Sequence, residues 1–289
     1  MKSRLLLFAL FLLCARTYAQ DAYLCPEQAA MVATEKAFSA ATALLGVKEG
    51  FLTFVSPKAI SFDAELQNAC EKLQKKKPTT YPVEVSLQWT PESGGIAKSG
   101  DFGYLYGPWQ YTTISTGFVS ARGKYISIWK KYDKGLWKVA FDCGVETKDR
   151  DIDLTKQHFI SQDDSTEFAA RKSSDTSKAK ESLLKAEVLF AKLNGVNSPA
   201  AADTILSGNL TLFRDDMLPL VGKSESGDWY KVMKTASFRI AGFDISASRD
   251  VAYTYGTCGI EMQKFYFLHI WRTNSMGEWK LVVDVTSKF

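Results

Sequence analysis

The chain has 289 residues, enough for two domains of ordinary size and too many for one small domain. Hydrophobic residues make up 46% and charged residues 24%, a composition that builds a buried core and excludes a disordered chain. The formal charge of +4 is small and falls to +1 without Lys2, Arg4 and Arg16, so no electrostatic case for a nucleic-acid partner survives.

Those three cations belong to a targeting signal. Lys2 and Arg4 form its basic start, Leu5 to Leu13 its apolar stretch, and Thr17, Tyr18, Ala19 a small-x-small cleavage site. Residues 1–19 are therefore expected to leave, and the mature protein to be exported, periplasmic or extracellular. The apolar stretch is too short for a spanning helix and no later segment is longer, so no membrane span is expected. Leu12 and Leu13 before Cys14 argue against a lipid anchor there.

The first domain is read over residues 20–150. Met31, Phe38 and Leu45 recur at sevens with Ala41 between them, which predicts a helix from Glu27 to Leu45 broken at Gly46. Val47, Phe51 and Phe54 predict a second helix, Ala59 to Phe62 an extended piece, and Leu66, Ala69 and Leu73 a third helix stopping before Pro78. Lys75, Lys76 and Lys77 suit the solvated end of that helix. Val83, Val85, Leu87 and Trp89 then alternate with polar residues as in a half-buried strand. Further strands are predicted over Phe102–Tyr106, Tyr111–Ser115, Tyr125–Lys131 and Trp137–Phe141, the last two joined by a turn at Asp133, Lys134 and Gly135.

Residues 151–177 turn polar and charged and read as a linker. The second domain, 178–289, opens with Ala179, Leu183, Ala186, Phe190 and Leu193, an amphipathic helix ended by Gly195. Ser198 and Pro199 suit the start of another helix, which brings Ile205 and Leu206 to its end. Strands are expected to return after Gly222. Helices first and antiparallel strands afterwards give an α+β class in each half.

The halves repeat. An offset of 149 carries Ser99 to Ser248, Asp101 to Asp250, Tyr104 to Tyr253, Tyr106 to Tyr255 and Gly107 to Gly256. An offset of 142 carries Trp129 to Trp271, Trp137 to Trp279, Lys138 to Lys280 and Asp142 to Asp284, so the second copy is seven residues shorter after its glycine.

Cys25, Cys70, Cys143 and Cys258 remain after the signal, an even number in an exported chain. Three pairings are open. Cys25 with Cys70, both flanking the first helical region, is the attractive one; Cys143 and Cys258 would then tie the halves together or stay as buried thiols.

Glu35–Phe38, Gly50–Leu52, Trp89, Pro91, Ser99–Tyr104, Gly107–Trp109, Gly123–Tyr125, Trp129, Lys130, Gly135, Trp137, Lys138 and Asp142 together resemble a branch of the SnoaL-like superfamily, the nuclear transport factor 2 type. The resemblance covers most of the first half; in the second, Arg249 and Val251 replace Gly100 and Phe102. It implies two tandem cone-shaped, cystatin-like domains, each a curved antiparallel sheet wrapped around helices with a pocket at the open end. Ketosteroid isomerase, scytalone dehydratase, limonene epoxide hydrolase and polyketide cyclases share that fold with non-enzymatic binding modules, so fold alone selects no function. Their catalytic motifs are not evident here.

A pocket built from this sequence would draw its ligand-binding walls from Trp89, Tyr104, Tyr106, Trp109, Trp129 and Trp271. Asp101, Tyr104 and His269 are the acid–base candidates, although Ser99–Gly100–Asp101 is also a good turn and His269 shares strand parity with Phe265, Phe267 and Trp271, as core residues do. Asp142 and Asp284 close the last strand of each copy, a place for a cap or a pocket mouth. With two histidines and no Cys or acidic ligand spacing, neither a metal nor a cofactor is expected. Three functions are open: binding of a small apolar or amphipathic molecule, cofactor-independent isomerase, dehydratase or cyclase chemistry, and a non-catalytic interaction module. The two domains are expected to pack sheet to sheet as an internal pseudo-dimer.

Overall fold

The computed structural model describes residues 24–62, 65–132, 135–147, 154, 159–162, 175–193, 204–232, 237–260 and 263–288. The expected signal, the turn residues 133–134 and most of the expected linker lie outside them. The fold is α+β with two sheet-based units.

Helix α1 (Pro26–Leu45) starts on a proline, which suits the first helical turn, and stops at Gly46. The φ of 83° at Gly46 is one glycine adopts without strain, and its N–H bonds to the Thr42 carbonyl as a cap. Helix α2 (Val47–Phe54) follows, then strand β1 (Val55–Phe62), strand β2 (Leu66–Asn68) and helix α3 (Ala69–Lys75). Leu66 was expected inside the third helix; Asn68 accounts for the difference, its side chain accepting from the Glu71 N–H and fixing the helix start at Ala69.

The remaining strands of the first unit are β3 (Val85–Trp89), β4 (Ser93–Ile96), β5 (Phe102–Thr113), β6 (Phe118–Lys131) and β7 (Trp137–Glu146). β5 is one strand where two were predicted, because Pro108 pairs across to Lys124 without interrupting the ladder. Ile160–Ser161, within the expected linker, adds a short strand β8 beside β4. The sheet runs β2-β1-β7-β6-β5-β4-β8, with β3 also on β5.

The second unit holds helix α4 (Thr176–Leu193), strand β9 (Leu206–Arg214), strand β10 (Leu220–Val221), helix α5 (Lys223–Val232), and strands β11 (Ser237–Ile245), β12 (Val251–Ile260), β13 (Gln263–Thr273) and β14 (Trp279–Lys288), in the order β10-β9-β14-β13-β12-β11. Two expectations fail here. Leu206 opens a strand, and Gly222 precedes a helix. β9 is covered on both faces from Leu210 to Arg214, so its sequence lacks the alternation that marks a half-buried strand. Nor are the sheets wholly antiparallel: β1 runs parallel to β7, and β9 to β14.

Each sheet has a helix face and a sheet face. In the first unit Met31 and Phe38 of α1 pack with Trp129, Trp137 and Val139; in the second, Leu183 and Phe190 of α4 pack with Trp271, Trp279 and Leu281. The opposite faces meet in one cluster that mixes both units, with Phe102, Ile128 and Phe141 against Tyr253, Leu268 and Val283. All four described cysteines carry free thiols, which corrects the Cys25–Cys70 pairing; Cys143 and Cys258 are buried as small apolar groups. Among the described residues no helix is long and apolar enough to cross a membrane, and no three metal-ligating side chains cluster.

Candidate functional site

A cavity of about 730 Å³ opens between the helices and the sheet of the first unit. Phe51, Trp89, Trp109 and Tyr111 wall it, and Tyr125 and Asp142 meet it from the sheet. Its mouth is built by both units: Lys72, Lys76 and Glu146 come from the first, and Asp215, Asp216 and Lys288 from the second.

Trp109 lies on the sheet because two glycines make room. It pairs in register with Gly123, where a Cβ would stand 2.8 Å from the indole nitrogen, and a Cβ at Gly144 would stand 3.2 Å from it. The second copy reverses the sizes at this pair, setting Cys258 opposite Phe265.

Asp142 sits on β7 directly across from Ser127 on β6, whose hydroxyl donates to it at 2.9 Å. Burial pushes this carboxyl up to about 7, against the pull of the Ser127 bond and the more distant Lys72 charge. Tyr125, two residues before Ser127 and so on the same face, is 6% exposed, and its hydroxyl has no hydrogen-bond partner among the described residues. Burial pushes its phenol well up, so it stays protonated. A buried hydroxyl left unmet costs stability unless something outside the chain meets it.

Behind this wall lies Glu35, fully buried on the apolar stripe of α1. Its two oxygens accept from the indole N–H groups of Trp89, at 2.5 Å, and Trp129, at 2.6 Å. Burial pushes the carboxyl up to about 8, with both indoles opposing. Glu35 therefore fixes Trp89, which also packs edge-on against Phe38 at 4.7 Å, as a rigid wall.

The second unit fills the corresponding place with charge. Glu187 stands where Glu35 does, accepting from Thr254 Oγ1 at 2.7 Å and facing His269 Nδ1 at 2.5 Å. Trp271 Nε1 donates to Thr254 at 3.1 Å. His269 occupies the place of Ser127, opposite Asp284 on β14, with Nε2 3.6 Å from the Asp284 carboxylate. Arg214 grips both Asp284 oxygens at 3.0 and 2.7 Å, and Tyr230 donates to the same group. Burial opposes the charge on Asp284, but Arg214 and His269 outweigh it and hold the carboxylate below the usual range. Burial likewise opposes charge on His269, and Glu187 and Asp284 overcome it, pushing the imidazole up to about 9. Arg214, Asp284, His269 and Glu187 thus stand in one buried row, each beside a group of opposite character.

Of the candidates read from sequence, Trp89 and Trp109 line the cavity. Tyr104 and Tyr106 face the inter-sheet cluster, where Tyr104 donates to Gln162 Oε1 at 2.6 Å and Gln162 Nε2 donates to Tyr106 at 2.8 Å. Trp129 and Trp271 lie under the helices as described above. Asp101 accepts from Ser99 in its turn, and His269 belongs to the ion network. Sequence reasoning missed Tyr125, Glu35 and Glu187. A usable signal existed for the glutamates: each shares a stripe with apolar neighbours, Met31–Glu35–Phe38 and Leu183–Glu187–Phe190, the same spacing in both copies.

No family model matches the chain, and no curated protein does. Among solved structures it is similar to an NTF2-like protein of unknown function from Silicibacter pomeroyi, 14% identical over 39% of this chain and 97% of that one, with a TM-score of 0.34. An NTF2-like protein of unknown function from Shewanella baltica is 15% identical over 39% and 96%, also with a TM-score of 0.34. An NTF2-like protein from Cytophaga hutchinsonii is 14% identical over 38% and 98%, with a TM-score of 0.33.

Proposed function

We propose that this is an exported protein of two tandem domains, residues 20–150 and 178–289 joined by 151–177, whose first domain binds a small apolar or amphipathic molecule. One observation carries the reading: an aromatic-walled cavity of about 730 Å³ lined also by a carboxyl group and by a phenol whose hydroxyl is unmet among the described residues. The second domain acts as a filled partner, packed on the first as an internal pseudo-dimer and lending part of the rim. The test is thermal-shift screening of the mature protein with apolar and amphipathic compounds. Hits are expected to raise the melting temperature of the wild type and to lose that effect in Trp109→Ala. A screen without hits, or hits indifferent to Trp109→Ala, overturns the reading.

Cofactor-independent isomerase or dehydratase chemistry is the second reading, supported by Asp142. A carboxyl held near 7 exchanges protons readily at neutral pH, and the Tyr125 hydroxyl would supply a donor to a developing oxyanion. Asp142→Asn is expected to abolish turnover of any substrate while leaving binding measurable; unchanged turnover removes this reading.

A further inference from the structure

Resting on the binding function proposed above, we propose that the ligand is an organic cation: a protonated amine seated on Asp142 with its carbon frame inside the aromatic walls.

Asp142 sits in a mostly apolar cavity with a single hydroxyl bonded to it, from Ser127. The titratable and charged groups around it are Glu35 on α1, Lys72 on α3, Tyr125 on β6, Cys143 on β7 and, at the mouth, Lys76, Glu146, Asp215, Asp216 and Lys288. Lys72 favours the charged carboxylate less than the Ser127 bond does, and among the described residues no cation is ion-paired with Asp142. An ammonium group donates N–H bonds both to a carboxylate and to the oxygen of a phenol. Tyr125 presents such an oxygen, buried and without a partner among the described residues.

The walls favour the same charge. The electron-rich faces of indole and phenol rings attract a cation, and Trp89, Trp109, Tyr111 and Tyr125 all border the cavity. At the mouth the charges are divided. Asp216 is paired with Lys288 at 3.5 Å, and Asp215 accepts from the N–H groups of Glu146 and Lys288 and from the Ser287 hydroxyl. Lys72 and Lys76 also line the cavity, so an anionic amphiphile is the competitor that the experiment must separate.

The experiment titrates the full mature protein with three ligands of one shape, following tryptophan fluorescence: 2-naphthylmethylammonium, 2-naphthylmethanol and 2-naphthoate. The cation is expected to bind about tenfold tighter than the alcohol at pH 8. That preference should shrink at pH 6, where Asp142 is protonated, and vanish in Asp142→Asn, a variant of unchanged shape whose melting temperature is measured alongside. Equal binding of cation and alcohol overturns the cation assignment and leaves the pocket standing. Tighter binding of the naphthoate overturns it in favour of Lys72 and Lys76. A cation preference that persists in Asp142→Asn overturns the role of the carboxylate, and no binding of any of the three overturns the inference together with the pocket.

Discussion

Ser99 and Ser248, 149 residues apart, hydrogen-bond to each other reciprocally: the backbone N–H of each donates to the other's Oγ, at 3.0 and 3.2 Å. Equivalent residues of the two copies thus meet one another, the signature of a two-fold contact between like surfaces. Ser99→Ala and Ser248→Ala are each expected to cost about 0.5–1.5 kcal/mol. The double variant should cost less than their sum, because the partners are shared. Denaturant unfolding of all four proteins checks this; strict additivity would remove the contact from the stability of the packed pair.

Asp284 answers to pH in the sense opposite to Glu35, Asp142 and His269. Glu35 and Asp142 have folded-state values, about 8 and about 7, above their ordinary 4.5 and 3.8. The native state holds their protons more tightly, so their contribution is full in acid and is lost as pH rises towards 8. Asp284, held low, contributes above its ordinary 3.8 and loses its contribution as pH falls. His269 contributes below 6.5 and loses its share as pH rises through about 9. Stability is therefore expected to peak at roughly pH 4. Glu35→Gln should flatten the decline from pH 5 to 8 by up to ~1.4 kcal/mol per pH unit where Glu35 titrates. Urea unfolding across that range decides it, and an unaltered slope contradicts the buried, protonated Glu35.

Arg214→Leu leaves Asp284 buried with only His269 and Tyr230 beside it. The expected cost is about 3–5 kcal/mol, as for other broken buried ion pairs. If calorimetry finds a loss below about 1 kcal/mol, the network is not what keeps the second unit closed.

Tyr125→Phe should act in two directions. Removing a buried hydroxyl without a partner is expected to raise stability by up to ~1 kcal/mol, while any ligand of the cavity binds more weakly. A variant that gains stability and keeps full affinity would show that the phenol oxygen has no ligand to meet.

The repeat was legible from its matched spacings, and the helix stripes because each helix lays one face on the core, which writes a period into the sequence; β4, buried throughout, was missed. β9 was not legible either, since cover on both of its faces erases the alternation. Trp89, Trp109, Tyr104 and Tyr106 were chosen alike, as aromatics where the resemblance implies a pocket; Trp89 and Trp109 line the cavity, while Tyr104 and Tyr106 face the other sheet. Strand parity separates β5 residues only when it is known which face carries the helices. Glu35 and Glu187 were passed over because an acid on an apolar stripe looks like a flaw in the pattern until the indoles that receive it are seen.

The difference of seven residues between the copies has a location. β5 and β6 are 12 and 14 residues long, against 10 and 11 for β12 and β13. The extra length of β5 carries Thr112 and Thr113, and with Trp109, Gln110 and Tyr111 this is the segment on which β3 lies, holding Leu87 and Trp89 against the cavity. The pocket thus hangs on a hairpin arm that reaches well past it. A short deletion at a solvent-exposed tip, far from any ligand, would strip β3 of its support and unmake the site, so gain or loss of binding among tandem chains of this kind can follow indels while every lining residue is kept.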